Sequence, residues 1–177
     1  MIGAVVLAAG ASTRFGSPKQ QLLLGEVLAA VATAAVDEIV VVSGAHDLGP
    51  CVSVTQGITL VECPDWERGP GASLRCGLGA LSPGTEAAVI VLADGPDLAP
   101  EAIERVLDTW RESGGELVAA SYGGERGHPL VLAHNAWADI PDEGLRGRQP
   151  RLVPCDDLGV PGDVDLPADL PPRLRLG

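Results

Sequence analysis

The sequence predicts an α/β fold: three layers, doubly wound, with a mostly parallel sheet and a small antiparallel element. Three observations predict it. Apolar runs of strand length recur along the chain and alternate with longer segments that carry a helical stripe. Most of these runs are continuously apolar, as strands covered on both faces are. Aromatic residues make up only 3% of a chain that is 46% hydrophobic, so Ala, Val and Leu must fill the core, which suits strands layered with helices better than a sandwich. At 177 residues the chain is large enough to bury a real core and reads as a single domain over residues 1–177.

The elements follow in order. Ile2 to Leu7 is a buried strand, and Ala8, Ala9, Gly10, Ala11, Ser12 and Gly16 make the next segment small and flexible. Glu26 to Ala35 carries Val27, Leu28, Val31 and Ala35 at helical spacing. Ile39 to Val42 is the second strand; Ala45 to Leu48 starts a short helix that Gly49-Pro50 stops. Ile58 to Val61 is the third strand. A small-residue helix runs from the Gly69 to Ser73 segment through Leu81, and Ala87 to Leu92, the most apolar strand, empties into Asp94-Gly95-Pro96-Asp97. Pro100 opens a helix whose first turn is acidic and whose core face is Ile103, Val106, Leu107 and Trp110. Leu117 to Ser121 is a fifth strand, turned by Gly123-Gly124 into Pro129 to Leu132 as a hairpin. A short helix is predicted over Ala133 to Ile140, and short strands near Leu152-Val153 and Val164. Alternation of this kind implies right-handed crossovers, with ligands bound beyond the carboxyl ends of the strands, where Gly10 and Asp94 should gather.

Charge narrows the function. With 24 acidic and 12 basic residues the formal net charge is -12, which repels nucleic acid and acidic membranes. No apolar stretch is long enough to span a bilayer. The N-terminus has no basic region or cleavage site of a signal peptide, so a cytoplasmic location is expected. Cys51, Cys63, Cys76 and Cys155 form no C-x-x-C pair and read as small buried residues in a reducing compartment.

In this acidic chain Arg14 and Lys19 bracket a small-residue loop after a strand. Small residues let backbone N–H groups approach a phosphate chain, so the loop is suited to hold an anion. It is neither a Walker A loop nor Gly-x-Gly-x-x-Gly. Asp94, directly after a buried strand, is a carboxylate of the kind Mg²⁺ uses beside a triphosphate. Ser73 either caps a helix or offers its hydroxyl to a base edge. His128 titrates in the range of a base but reads as a structural or substrate contact; His46 and His134 read as surface residues.

The pattern Leu7-Ala8-Ala9-Gly10-x-Ser12-x-Arg14-x-Gly16-x-x-Lys19 closely resembles the signature loop of the nucleotidyltransferases that make molybdenum cofactor dinucleotides. Gly69-x-x-x-Ser73-Leu74-x-x-Gly77-Leu78 and Asp94-Gly95-Pro96 also resemble that family's motifs, as do Gly127-His128-Pro129 and Asp163-Val164-Asp165-Leu166-Pro167-Ala168-Asp169-Leu170. The resemblance implies a Rossmann-like nucleotidyltransferase fold. It also implies Mg²⁺-dependent transfer of a nucleoside monophosphate, CMP from CTP, to a phosphate-bearing acceptor, molybdopterin, with release of pyrophosphate. Arg14, Lys19 and Asp94 are then the catalytic residues. Leu7, Ala8, Ala9, Gly10, Ser12, Arg14, Lys19, Gly69, Ser73 and Gly77 would bind the nucleotide. Gly127, His128 and Pro129 lie on the acceptor side, and Asp94 with Asp165, preferred over Asp163, would hold the metal. Asp97 is left as a turn or helix-cap residue.

The choice of CTP rests on Ala8-Ala9, since guanylyl-transferring relatives carry Leu-Ala-Gly-Gly at this point. The chain departs from the family after Gly25, where a longer connection is usual. It departs again at Asp142-Glu143-Gly144-Leu145-Arg146, which stands for a Gly-Asp-x-Gly-Ala-Arg element on the acceptor side. The alternatives are transfer to a sugar phosphate or phospholactate, or a non-catalytic nucleotide-binding factor that matures a molybdenum enzyme, a candidate partner.

Overall fold

The computed structural model describes residues 1–52 and 57–175. Its sheet has seven strands: β1 (Ile2–Leu7), β2 (Glu38–Ser43), β3 (Ile58–Glu62), β4 (Ala87–Leu92), β5 (Leu117–Tyr122), β6 (Glu125–Ala133) and β7 (Arg151–Pro154). Their order is β3-β2-β1-β4-β6-β5-β7. Every pairing is parallel except those of β6, which runs against both β4 and β5. The expected mostly parallel sheet with a small antiparallel element is therefore present. The β5–β6 hairpin turns on Gly123 and Gly124, both at positive φ (60° and 81°), as a two-residue turn matched to strand twist requires.

Helices cover both faces. Successive β1 residues face opposite ways: Ala4 and Val6 pack with α1 (Lys19–Thr33) and α4 (Pro100–Ser113), and Val5 packs with α3 (Pro70–Gly79). Gly77 lets α3 lie close on the sheet, since a Cβ there would meet Val5 and would stand 2.8 Å from Val42 Cγ2.

Four element predictions are corrected. The first helix begins at Lys19 rather than Glu26, directly after Pro18, so Lys19 is a buried helical residue. Gly49-Pro50 opens the four-residue α2 (Gly49–Val52) instead of stopping a helix, because proline is tolerated in a first turn. Ala133 to Ile140 contains only a 3₁₀ turn, His134–Ala136. Val164 forms no strand; it is buried in an irregular segment whose backbone N–H donates to the Asp94 carbonyl (3.1 Å).

Cys63 and Cys155 are buried and all four thiols are free. Burial, then a hydrogen bond with Cys63, pushes the Cys76 thiol up to about 11, which leaves it protonated. Among the described residues no helix is long and apolar enough to cross a membrane.

Candidate active site at the carboxyl ends of the strands

The loop after β1 is held in shape by residues distant from it in sequence. Ala8 N–H donates to the Val42 carbonyl (2.9 Å) and the Ala9 carbonyl accepts from Ala45 N–H (3.1 Å). Gln20, buried at the start of α1, donates to the Gly10 carbonyl (2.9 Å) and accepts from the Ser12 hydroxyl (2.5 Å). His46 Nε2 lies 2.9 Å from the Ala11 carbonyl, so it is a loop anchor rather than a free surface residue. Ser12 adopts φ 54°, an unusual value for a residue with a Cβ. Within the described residues, none of the backbone N–H groups from Gly10 to Arg14 donates to a protein group. A held loop with a run of such donors is suited to receive an anion.

Lys19 reaches across the site. Its Nζ donates to the Val164 carbonyl (2.6 Å) and to Asp94 Oδ2 (3.1 Å), and lies 3.5 Å from Asp165 Oδ1. Arg14, 71% exposed, pairs with Asp165 Oδ2 at 2.6 Å. Lys19 thus meets both carboxylates proposed for a metal, and Arg14 meets Asp165. The Asp163 carboxyl is pushed up from the usual range, first by partial loss of hydration and then by the Asp94 and Asp165 charges.

No group of three or more His, Cys, Asp or Glu side chains converges as a ligand set among the described residues. Two carboxylates and a carbonyl around one cation nevertheless match what Mg²⁺ or Mn²⁺ asks of a protein: hard oxygens, few in number, with phosphate and water completing the shell. Asp97 takes no part. It pairs with Arg173 (2.8 Å), which also reaches Glu26 (3.3 Å) and the Pro96 carbonyl (3.0 Å).

Three clefts that share Leu92 open over this end of the sheet. The first, about 330 Å³, lies between the β1 loop and the start of α3 and is lined by Leu7, Ala9, Gly10, Trp66, Gly69 and Ser73, among others. Five of these are predicted nucleotide contacts; Trp66 is not, and it stands as an aromatic wall in a chain with few aromatics. Gly44 makes room for it, since a Cβ there would lie 2.6 Å from Trp66 Cγ. Ser73 is not the cap of α3, which is Gly69. Its hydroxyl has no protein partner among the described residues and borders the cleft. Ala8 and Gly77 are corrected: Ala8 is buried in the core on the α1 side, Gly77 is packed on Val5 and Val42 against the sheet, and neither lines any of the three clefts.

The second cleft, about 340 Å³, is walled by Leu74, Ile90, Leu92, Leu130 and the Glu143 to Arg146 segment. That segment is clamped to α3: Arg75 donates to the Ile140 carbonyl and to Asp142 Oδ1 (2.5 Å each), and Arg68 to Asp142 Oδ2 (3.1 Å). Arg75 first, then Arg68, holds the Asp142 carboxyl below the usual range. The third cleft, about 440 Å³, runs from Asp94 past Tyr122 to Asp163.

Gly127 and His128 line the second and third clefts, with Arg126 beside them; Pro129 stands next to them in β6. Burial first, then the Arg126 charge, brings the His128 imidazole down to about 4, so it is neutral near pH 7 and only a weak proton acceptor. Sequence reasoning passed over Gln20, Trp66 and Arg126; for Arg126 the adjacent Gly-His-Pro was the available signal.

Residues 4–151 match the family described as the MobA-like NTP transferase domain. The chain is similar to the crystal structure of Rv0371c from Mycobacterium tuberculosis H37Rv, at 30% identity over 95% of this chain and 94% of that one, with a TM-score of 0.79. It is similar to the Rv0371C complex with manganese from the same organism, at 28% identity over 95% of each chain and a TM-score of 0.72. A nucleotidyl transferase from Methanothermobacter thermautotroptrophicus, Mth528, shares the fold at 20% identity over 96% of this chain and 94% of that one, with a TM-score of 0.76. No curated protein matches the chain in sequence.

Proposed function

The chain belongs to the MobA-like NTP transferase domain family and is a nucleotidyltransferase, and from that premise we propose that it transfers CMP from CTP to a phosphate-bearing acceptor of the molybdopterin type. An acceptor phosphate oxygen attacks the α-phosphorus, the bond from that phosphorus to the bridging oxygen breaks, and pyrophosphate leaves. The observation that carries the reading is the meeting of the open N–H run at Gly10 to Arg14 with Lys19, Arg14, Asp94 and Asp165 at one end of the sheet.

Each residue then has a task. The N–H groups of the loop, with Arg14 and Lys19, hold the triphosphate and oppose the charge that grows on it. Asp94 and Asp165 would hold Mg²⁺, which when bound neutralises phosphate charge; the manganese complex of a relative supports a divalent ion here. Lys19 is placed to exchange carboxylates for phosphates when the nucleotide arrives. Leu7, Ala9, Gly10, Gly69 and Ser73 frame the nucleoside against Trp66, and Gly127, His128 and Pro129 shape the acceptor side. A phosphomonoester is ionised near neutral pH, so the neutral His128 costs the reaction nothing.

CTP is favoured over GTP because the Ala9 methyl takes space that a purine and its exocyclic amine need, and steric rejection of a larger base is strong discrimination. The test is pyrophosphate release from CTP and GTP, each with molybdopterin and with sugar phosphates as acceptors. Release with CTP and molybdopterin above every other pair is expected; a clear GTP preference overturns the base assignment, and release only with sugar phosphates overturns the acceptor.

A further inference from the structure

Arg126 is the second residue of β6, beside the irregularity where the β5 ladder passes from Ala119 opposite Leu130 to Ser121 opposite Arg126. Bulges of this kind re-aim side chains next to functional sites. Arg126 is half-buried and lines both the second and the third cleft. Its Nη1 donates to the Leu145 carbonyl (2.9 Å) and the Arg148 carbonyl (3.0 Å). These bonds fix the guanidinium plane from one corner, and among the described residues Nη2 and Nε have no partner.

No carboxylate pairs with it among the described residues, although Asp94, Glu125 and Asp163 line one of its clefts and Glu143 the other. Arg75, with a side chain 35% exposed, shows the usual solution: Asp142 sits 2.5 Å away. Withdrawal from water lowers the Arg126 pKa, and its charge helps to keep His128 neutral. A partly desolvated cation without a counter-charge destabilises the fold. In a chain with 24 acidic residues, that is not for want of carboxylates. A guanidinium held in plane with open N–H edges matches the oxygens of a phosphate.

We propose that Arg126 seats the acceptor's own phosphate group, the acceptor being a phosphomonoester whose body lies in the apolar cleft of Leu74, Ile90, Leu92 and Leu130. This assignment rests on the nucleotidyl-transfer reading above. The cleft volume of about 340 Å³ is near the lower end of small-molecule sites, about 300–1,000 Å³, and suits one compact ring system better than an oligosaccharide. Glu143 at its rim disfavours acceptors that carry a carboxylate there.

Phenyl phosphate serves as the acceptor probe, with phenol as the control that lacks the anion. Two sources of phosphate compete for Arg126, the acceptor and the triphosphate, and the arms separate them. In the wild-type protein, phenylglyoxal modification of Arg126, read by peptide mass, should slow in phenyl phosphate but not in phenol or in CTP with Mg²⁺. In Arg126→Gln, phenyl phosphate binding read by ³¹P chemical shift should weaken at least about tenfold, while CTP affinity by calorimetry stays within about twofold. Arg126→Lys, which keeps the charge, should recover part of the binding. Protection by CTP, alone or as strong as that by phenyl phosphate, gives Arg126 to the triphosphate and overturns the proposal. So does the absence of protection by either. The wild-type footprint decides even where Arg126→Gln does not fold. Failure of the wild type to bind CTP overturns the nucleotidyl-transfer reading instead, independently of the phenyl phosphate result.

Discussion

Asp94 and Asp97 stand three positions apart in one turn, yet their surroundings give them different work. Asp94 follows β4, whose first five residues are buried, and faces the Lys19 ammonium at 3.1 Å, whereas Asp97 faces Arg173 on the outside. Asp94→Asn should keep the fold and lower turnover by roughly a hundredfold or more, the scale of losing one preorganised electrostatic contact to a transition state. Asp97→Asn should leave turnover nearly unchanged and cost less than about 1 kcal/mol, as exposed ion pairs do. Pyrophosphate release at saturating Mg²⁺ checks both, and near-normal turnover in Asp94→Asn would remove it from the metal site. His128 gives the second prediction at this scale. Its imidazole is brought from 6.5 to about 4 in the fold, so as pH falls the unfolded chain takes the proton first. The stability tied to neutral His128 is whole above about pH 6.5 and is lost on the way to about pH 4, on the order of 3 kcal/mol in the metal-free protein. Thermal melts of the wild type should fall across that window, and His128→Gln should flatten the fall; parallel curves would show that His128 titrates normally.

Among the elements, α3 is the one that closeness to the sheet controls. Gly77 has no room for a methyl group, with Val5 and Val42 beneath it, while Gly79 in the same helix has nothing within 4 Å of a Cβ. Opposite signs follow: Gly77→Ala should destabilise by about 1–3 kcal/mol through overpacking, and Gly79→Ala should stabilise by about 0.4–1 kcal/mol through the unfolded chain. Chemical denaturation of the two variants decides it; equal effects would mean that α3 does not rest on the sheet at Gly77. The seven strands were largely legible because their apolar runs are dense in Val, Ile and Leu, and Val164 alone misled. The start of α4 at Pro100 was legible too; the ends of α1 were not. Periodicity over Val27, Leu28 and Val31 marks the middle of α1, but Lys19-Gln20-Gln21 is polar, and its helical state depends on Pro18 before it and on contacts to Gly10, Asp94 and Val164.

For the molecule as a whole, the sheet brings β1 and β4 side by side, so that a loop near residue 10, a carboxylate at residue 94 and a tail near residue 165 meet at one end. The loop and Asp94 were legible because each motif is local and chemically distinctive. Gln20, Trp66 and Arg126 were not, because what makes them matter is a neighbour far away in sequence: Gly10's fold over Gln20, Gly44 beneath Trp66, the carbonyls of Leu145 and Arg148 at Arg126. That assembly also sets the charge balance. Asp94, Asp163 and Asp165 outnumber Lys19 and Arg14, and the chain as a whole carries a formal -12, a balance that opposes a bare triphosphate at the loop proposed to hold one. Binding of metal and nucleotide should therefore be coupled. Mg²⁺ alone should raise the melting temperature slightly, by relieving the three carboxylates, and CTP in chelator should raise it little. The two together should raise it by more than the sum, because each supplies the charge that the other lacks and only the ligated fold gains. Thermal melts of the wild type in the four conditions measure this, and Lys19→Ala should lose most of the joint increment. An increment for CTP in chelator as large as with Mg²⁺ would show that Arg14, Lys19 and the loop N–H groups suffice, and would remove the metal from nucleotide binding.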